Sequence, residues 1–316
     1  MNRHVTIVMY HYVRDLKRSR FPAIKGLSVE RFCYQLDYIE AHYTPITVAE
    51  LLGALGPEGQ DLPPNAILLT FDDGYSDHFA NVFPRLDERG IQGCFFPPAQ
   101  AILEHKVLDV NKIQFVLATV PAAGILLNQV FTSLTEFRAE YALKTREGYL
   151  ASISGEHRYD TREVTVFKRL LQRELPEPVR VEIVRRLFAQ HVTDDEEAFA
   201  CELHMSVDQI ACLRRHGMHI GSHGYTHAWL NHVSPETQEV EIDRSLDFLQ
   251  MLGVDRNEWT MCYPYGGFND SLLQILRDRK CRMGFSVEAR VADLDTDDRL
   301  TLPRLDTNDL PSAPTA

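Results

Sequence analysis

Asp72 and Asp73 are adjacent carboxylates that follow the apolar run Ala66-Ile67-Leu68-Leu69 and precede Gly74. Side chains alternate along a strand, so the two diverge at its tip, yet they stay close enough to repel unless a cation or a shared proton relieves them. A metal site meets that need. An ordinary turn explains the same residues, because Asp and Gly favour turns for backbone reasons alone. A second polar cluster, Gly221-Ser222-His223-Gly224-Tyr225-Thr226-His227, sets two histidines four residues apart. That spacing brings both imidazoles to one side of a helical turn, where they can hold one metal. Thirteen histidines in 316 residues produce about 0.5 such pairs per chain by chance. His219 and His223 form another pair, but His219 falls within the preceding strand and is expected to be a buried neighbour rather than a ligand. The third cluster, Cys262-Tyr263-Pro264-Tyr265-Gly266-Gly267-Phe268-Asn269-Asp270, has the composition of a strand-to-helix loop, with Asn269 or Asp270 able to cap the helix through Leu272 and Leu273.

Each cluster lies just past a strand-like run. Val5 to Tyr10, Ala66 to Phe71, Gln92 to Phe96, Met218 to Gly221, Trp259 to Cys262 and Met283 to Val287 read as strands. Between them, Ser28 and Thr47 read as helix N-caps, and Ser234-Pro235-Glu236 opens a long helix through Val240, Ile242, Leu246 and Leu249. Strands joined by helices imply an α/β fold with a mainly parallel sheet, open or closed into a barrel. In such folds the C-terminal strand edge gathers the active site, and all three clusters belong to that edge. The stretch 107–205 differs: it is charge-rich, with Phe167, Leu170, Leu171, Val181, Val184, Leu187 and Phe188 at helical spacings. It reads as a helical insertion, either a lid or extra packing, and 313–316 as a frayed tail.

Composition narrows the function classes. A formal charge of −12 with no basic block interleaved by aromatics argues against nucleic-acid binding. No stretch approaches the roughly 20 apolar residues of a membrane helix. The N-terminus shows no small-residue cleavage site, so a cytoplasmic location is expected. The six cysteines form no close pair and read as reduced thiols.

Thr70-Phe71-Asp72-Asp73-Gly74, then Ser222-His223 with His227, then Tyr263-Pro264-Tyr265-Gly266 resemble, in order and separation, the first three motifs of the polysaccharide deacetylases, the NodB-homology or carbohydrate esterase family 4 group. Met9-Tyr10-His11-Tyr12-Val13 also resembles the opening of one branch. The resemblance covers about 1–106 and 206–312, with 107–205 outside the common core. It implies a distorted (β/α) barrel of about seven strands and a divalent metal, zinc or another. By position it makes Asp73, His223 and His227 the metal ligands and Asp72 the base. The Tyr265 loop, with Pro264 and Gly266, would form a groove wall whose backbone N–H holds the oxyanion. The chemistry agrees, since one carboxylate and two imidazoles leave a cation open positions.

The sequence departs from the family pattern twice. Cys262 stands where an arginine often orients the base, and Arg304, in Leu302-Pro303-Arg304-Leu305-Asp306, is the candidate to replace it. The late Leu-x-His that supplies the general acid is absent, and His11 is the candidate in its stead. The expected function is metal-dependent removal of an N-acyl group, foremost acetyl, from an amino sugar in a glycan or glycan precursor. A lipid-linked or nucleotide-linked sugar, another amide, or a carbohydrate-binding pseudo-enzyme are the alternatives.

Overall fold

The computed structural model describes residues 2–56, 59–153 and 160–311. The tail expected at 313–316 lies outside the described residues. Contacts divide the chain into two compact units, the first comprising Met1–Asp15, Gly26–Lys106 and Ala200–Ala316, the second Leu16–Lys25 and Val107–Phe199.

The first unit is an α/β barrel. The staves of its barrel are β1 (His4–Tyr10), β2 (Ala66–Asp72), β3 (Gly93–Phe96), β4 (His219–Ile220), β5 (Thr260–Cys262), β6 (Met283–Phe285) and β7 (Leu305–Asp306), with further two-residue strands outside this set. β2 pairs in parallel with β1, Thr6 facing Ile67 and Tyr10 facing Phe71, and on its other side with β3, Asp72 facing Phe96. β3 continues to β4, and single parallel bridges carry the wall onward, Ser222 to Met261 and Phe285 to Leu302. β5 and β6 pair between those bridges, and β7 returns to β1 with Val8 facing Leu305. Seven parallel staves therefore close on themselves, although the ladder is reduced to isolated bridges at two seams. Short strands and loosened seams distort the barrel.

The alternation of side chains then decides what points inward. Ile67, Leu69 and Phe71 pack in one cluster with Phe32, Leu36 and Leu86 from the surrounding helices. Ala66 and Leu68 join Ile7, Cys94, Phe96, Cys262, Phe285 and Leu302, alternate residues of the other staves, in an interior cluster closed by the helix Val48–Leu55. Asp72 shares the parity of Leu68 and so ends β2 on the interior face. Its burial follows from register.

The helices begin where the sequence signals them. Ser28 caps Val29–His42, Thr47 and Glu50 form a capping box at Val48–Leu55, Ser234 caps Pro235–Met251, and Asn269 caps Asp270–Asp278. All six cysteines are free thiols.

The second unit, taken by itself, is helical, and Asp109–Thr119 packs against Glu177–His191. Phe21, Phe115, Phe188 and Phe199 form a run of edge-to-face rings at its core. Ala200–Met205, placed by the sequence in the insertion, lies with the first unit. The reason is local: the Met205 amide donates to the Gly74 carbonyl at 2.9 Å, and Tyr75 bridges to His204.

Candidate active site

The C-terminal ends of β2, β4 and β5 bring together Asp72, Asp73, His223, His227 and Cys262, all buried. Asp73 lies one residue beyond the strand with φ at 69°, in the left-handed region that non-glycine residues rarely occupy. This turn swings its carboxylate away from that of Asp72. His227 and Tyr265 share the unusual conformation, at 61° and 57°. Backbone strain of this kind persists only where the surroundings over-determine it, and it concentrates at functional sites.

His223 and His227 do not meet through a helical turn, as their spacing suggests. Residues 221–229 form an irregular loop containing Gly224 at φ 73°, and the loop rather than a helix turns the two rings to 4.8 Å between centroids. A helix would place the backbone amides of 225 and 226 inside its own ladder, whereas here the buried Glu241 takes both. Asp73 Oδ1 lies 3.4 Å from His223 Nε2 and 3.3 Å from His227 Nε2. That oxygen is buried and has no hydrogen-bond partner among the described residues. The other oxygen, Oδ2, accepts the Tyr75 phenol at 2.5 Å.

The His223 Nδ1–H donates to the Cys262 carbonyl at 2.7 Å, which turns Nε2 towards Asp73. Burial favours the neutral form of His227 and is the largest influence lowering its pKa. Burial also raises the Asp73 carboxyl, but the flanking imidazoles prevail and hold it well below the usual carboxylate range. An orphaned carboxylate oxygen facing two imidazole nitrogens is the donor set a divalent transition metal takes. Asp73, His223 and His227 would hold such a cation through three donors and would leave it room for water or substrate.

Asp72 has different surroundings. Arg304 meets it in a two-pronged pair, Nη1 to Oδ1 at 2.9 Å and Nη2 to Oδ2 at 2.8 Å. The guanidinium, only 1% exposed, is held from behind: Nε donates to the Ser286 carbonyl at 2.8 Å, and Nη1 also donates to Thr70 Oγ1 at 2.9 Å. Burial pushes the Asp72 carboxyl up. The Arg304 guanidinium, through its charge and its hydrogen bonds, outweighs burial with help from the neighbouring His223 and brings the pKa down to about 2. Cys262 fills the space beside this pair as a buried thiol, and the planar fork arrives from the segment entering β7.

His11 lies just past β1 and is half-buried. Its carbonyl accepts the Nε2–H of the buried His78 at 2.9 Å, which fixes the backbone there. Tyr265, Pro264 and Gly266 form a tight turn, with the Gly266 amide donating to the Tyr263 carbonyl at 2.9 Å and Gly267 to Pro264 at 3.0 Å. Gly266 has φ at 68°, and a Cβ there would collide with Val287. The Tyr265 ring stands edge-on to His227 at 4.8 Å and stacks on Trp229 at 4.7 Å. His219, as expected, is a neighbour in β4, its Nε2 2.7 Å from Thr260 Oγ1.

Tyr75, His204, Trp229 and Glu241 also border these residues and belong to none of the three motifs. Tyr75 and Trp229 stand two residues beyond Asp73 and His227, so proximity to the motifs was an available signal. His204, whose Nδ1 is 3.2 Å from the Asp73 carbonyl, and Glu241 offered none.

The polysaccharide deacetylase family model matches residues 59–123 and 188–284, about half of the chain. No curated protein matches the sequence. Among solved structures, the fold is similar to that of the Streptococcus pyogenes deacetylase PplD in complex with acetate, at 16% identity, 97% coverage of this chain and 93% of that one, TM-score 0.56. It is also similar to IcaB from Ammonifex degensii, at 17% identity, 96% and 91% coverage, TM-score 0.55. The BpsB deacetylase domain from Bordetella bronchiseptica aligns at 14% identity with 96% coverage of both chains and TM-score 0.55. The chain belongs to the polysaccharide deacetylase family and is a hydrolase acting on carbon–nitrogen bonds.

Proposed function

We propose that this enzyme removes an N-acetyl group from an amino sugar of a glycan or glycan precursor, with Asp73, His223 and His227 holding a divalent metal, foremost zinc. The observation that supports this reading is the division of labour between neighbouring carboxylates. Asp73 keeps a bare oxygen between two imidazoles, while Asp72 is reserved and oriented by Arg304. When bound, a divalent cation supplies Lewis acidity, lowering the pKa of the attacking water and polarising the amide carbonyl.

Asp72 then accepts the proton of that water. A carboxylate with a pKa of about 2 is ionised throughout the neutral range but is a weak base, so it suits a water already acidified. Arg304 keeps both carboxylate oxygens in place through the step and stabilises their charge. The Tyr265 backbone N–H donates to the oxygen that gains charge as the carbonyl carbon becomes tetrahedral. His11 gives a proton to the departing nitrogen; the carbon–nitrogen bond breaks, and the products are acetate and the free amine. The Trp229 ring, half-buried and stacked on Tyr265, offers an apolar surface to a sugar face beside this centre.

Incubation of zinc-loaded protein with N-acetylglucosamine oligomers, and with N-acetyl and N-formyl sugars free or carrier-linked, tests the proposal through released acid. Release of acetate from an amino sugar, abolished by a chelator and restored by metal, is the expected result. Undiminished release in the chelated protein overturns the metal assignment, and silence across the panel overturns the substrate class.

A further inference from the structure

The helix Pro235–Met251 buries three polar side chains among its apolar ones, Gln238, Glu241 and Ser245. Their spacing puts them on one face. Each holds a segment that carries or borders a metal-ligand residue. Ser245 Oγ meets Ser222 Oγ at 2.8 Å, next to His223. Gln238 Nε2 donates to the Leu230 carbonyl at 2.8 Å and to Asn269 Oδ1 at 3.1 Å, the latter being the cap of the helix that comes after the Tyr265 turn.

Glu241 makes the most demanding of these contacts. One of its oxygens accepts the backbone amides of Tyr225 at 3.0 Å and Thr226 at 2.9 Å, and the other accepts the Thr226 hydroxyl at 2.7 Å. The side chain is buried, and no lysine or arginine pairs with it among the described residues. A carboxylate removed from water without a cation is costly unless its hydrogen bonds are made, and here all three donors belong to the loop between the two histidines. The two amides belong to the residues immediately before His227, whose φ of 61° needs an external restraint. Loop conformation and Glu241 therefore depend on each other.

We propose that Glu241 is a positioning residue for the metal site, setting the loop that aims His227 at Asp73 and thereby the affinity for the divalent cation. The inference rests on Asp73, His223 and His227 being metal ligands. Partners that orient a metal ligand without touching the metal are typically worth 10- to 100-fold in affinity.

Zinc affinity, measured by competition with a chromophoric chelator on the full chain, tests it without recourse to activity. Glu241→Gln keeps the size of the side chain but replaces one acceptor oxygen with a donor, and is expected to weaken zinc binding by about 10- to 100-fold. Leu246→Ala, a packing change in the same helix, is expected to lower the melting temperature of the metal-free protein while leaving zinc affinity unchanged. Thr226→Val removes only the hydroxyl contact from the loop side and is expected to lower affinity a few-fold. It serves as the deciding variant if Glu241→Gln does not fold. Wild-type affinity in the folded Glu241→Gln protein, or in Thr226→Val where that variant decides, overturns the positioning role. So does an equal loss in Leu246→Ala. Wild-type protein that binds no divalent cation overturns the metal reading itself, an outcome distinct from either.

Discussion

The Asp72 carboxylate accepts two guanidinium N–H groups, whereas Asp73, one residue further, accepts a phenol on one oxygen and turns the other towards two imidazole nitrogens. Identical side chains thus acquire different chemistry from their surroundings. Asp72→Asn removes the proposed proton acceptor and leaves Asp73, His223 and His227 intact. Turnover is expected to fall by roughly 10²- to 10⁴-fold with metal content unchanged, checked by acetate release and metal analysis of the same preparation. An active variant would displace Asp72 from the base role. Arg304→Met leaves the Asp72 charge buried and unpaired, which is expected to cost about 3–5 kcal/mol in denaturant unfolding. Adding Asp72→Asn to Arg304→Met is expected to recover part of that loss, since the uncompensated charge disappears. Arg304 was legible only as a candidate, because a residue 232 positions from its partner is brought there by barrel closure.

At the scale of elements, the strand-like runs and caps were readable because period-2 apolar patterns and Ser, Thr and Asn caps are local chemistry. Their ends were less so. Met218 to Gly221 reads as four residues, but only His219–Ile220 pair as a strand; Gly221 already passes the chain to the bridge between Ser222 and Met261. Close approach of staves explains some of the glycines. A Cβ on Gly284 in β6 would run into the Leu300 carbonyl and come within 2.9 Å of the Tyr263 hydroxyl. The Gly284 carbonyl also accepts the Leu302 amide at 2.9 Å, at the seam that leads to Arg304. Gly284→Ala is therefore expected to destabilise the protein by about 1–3 kcal/mol, read from the midpoint of urea unfolding. An unchanged midpoint would mean that the seam yields freely.

Across the whole molecule, buried histidines add an acid-sensitive contribution to stability. His78 is fully buried, donates Nε2–H to the His11 carbonyl, and has no partner on Nδ1 among the described residues. Burial is the main reason its pKa falls to about 4. The unfolded chain takes up this proton near pH 6.5, the folded protein only near 4, so the contribution is complete above 6.5 and is lost as pH falls towards 4. The stability advantage of wild type over His78→Gln is expected to shrink by roughly 3 kcal/mol across that window. Unfolding curves at a series of pH values measure it, and a constant difference would contradict the assignment. Among the described residues, no helix is long and apolar enough to cross a membrane.

The sequence by itself determined most of the strands, the caps and the family, and singled out Asp72, Asp73, His223, His227 and the Tyr265 turn as candidates, because motif residues and local backbone preferences are written contiguously. Tertiary structure decided which groups those residues face. Barrel closure joined Arg304 to Asp72, a buried helix face brought Glu241 beneath the histidine loop, and left-handed backbone at Asp73 and His227 aimed their side chains. These are long-range contacts, fixed by register and packing rather than by spacing along the chain.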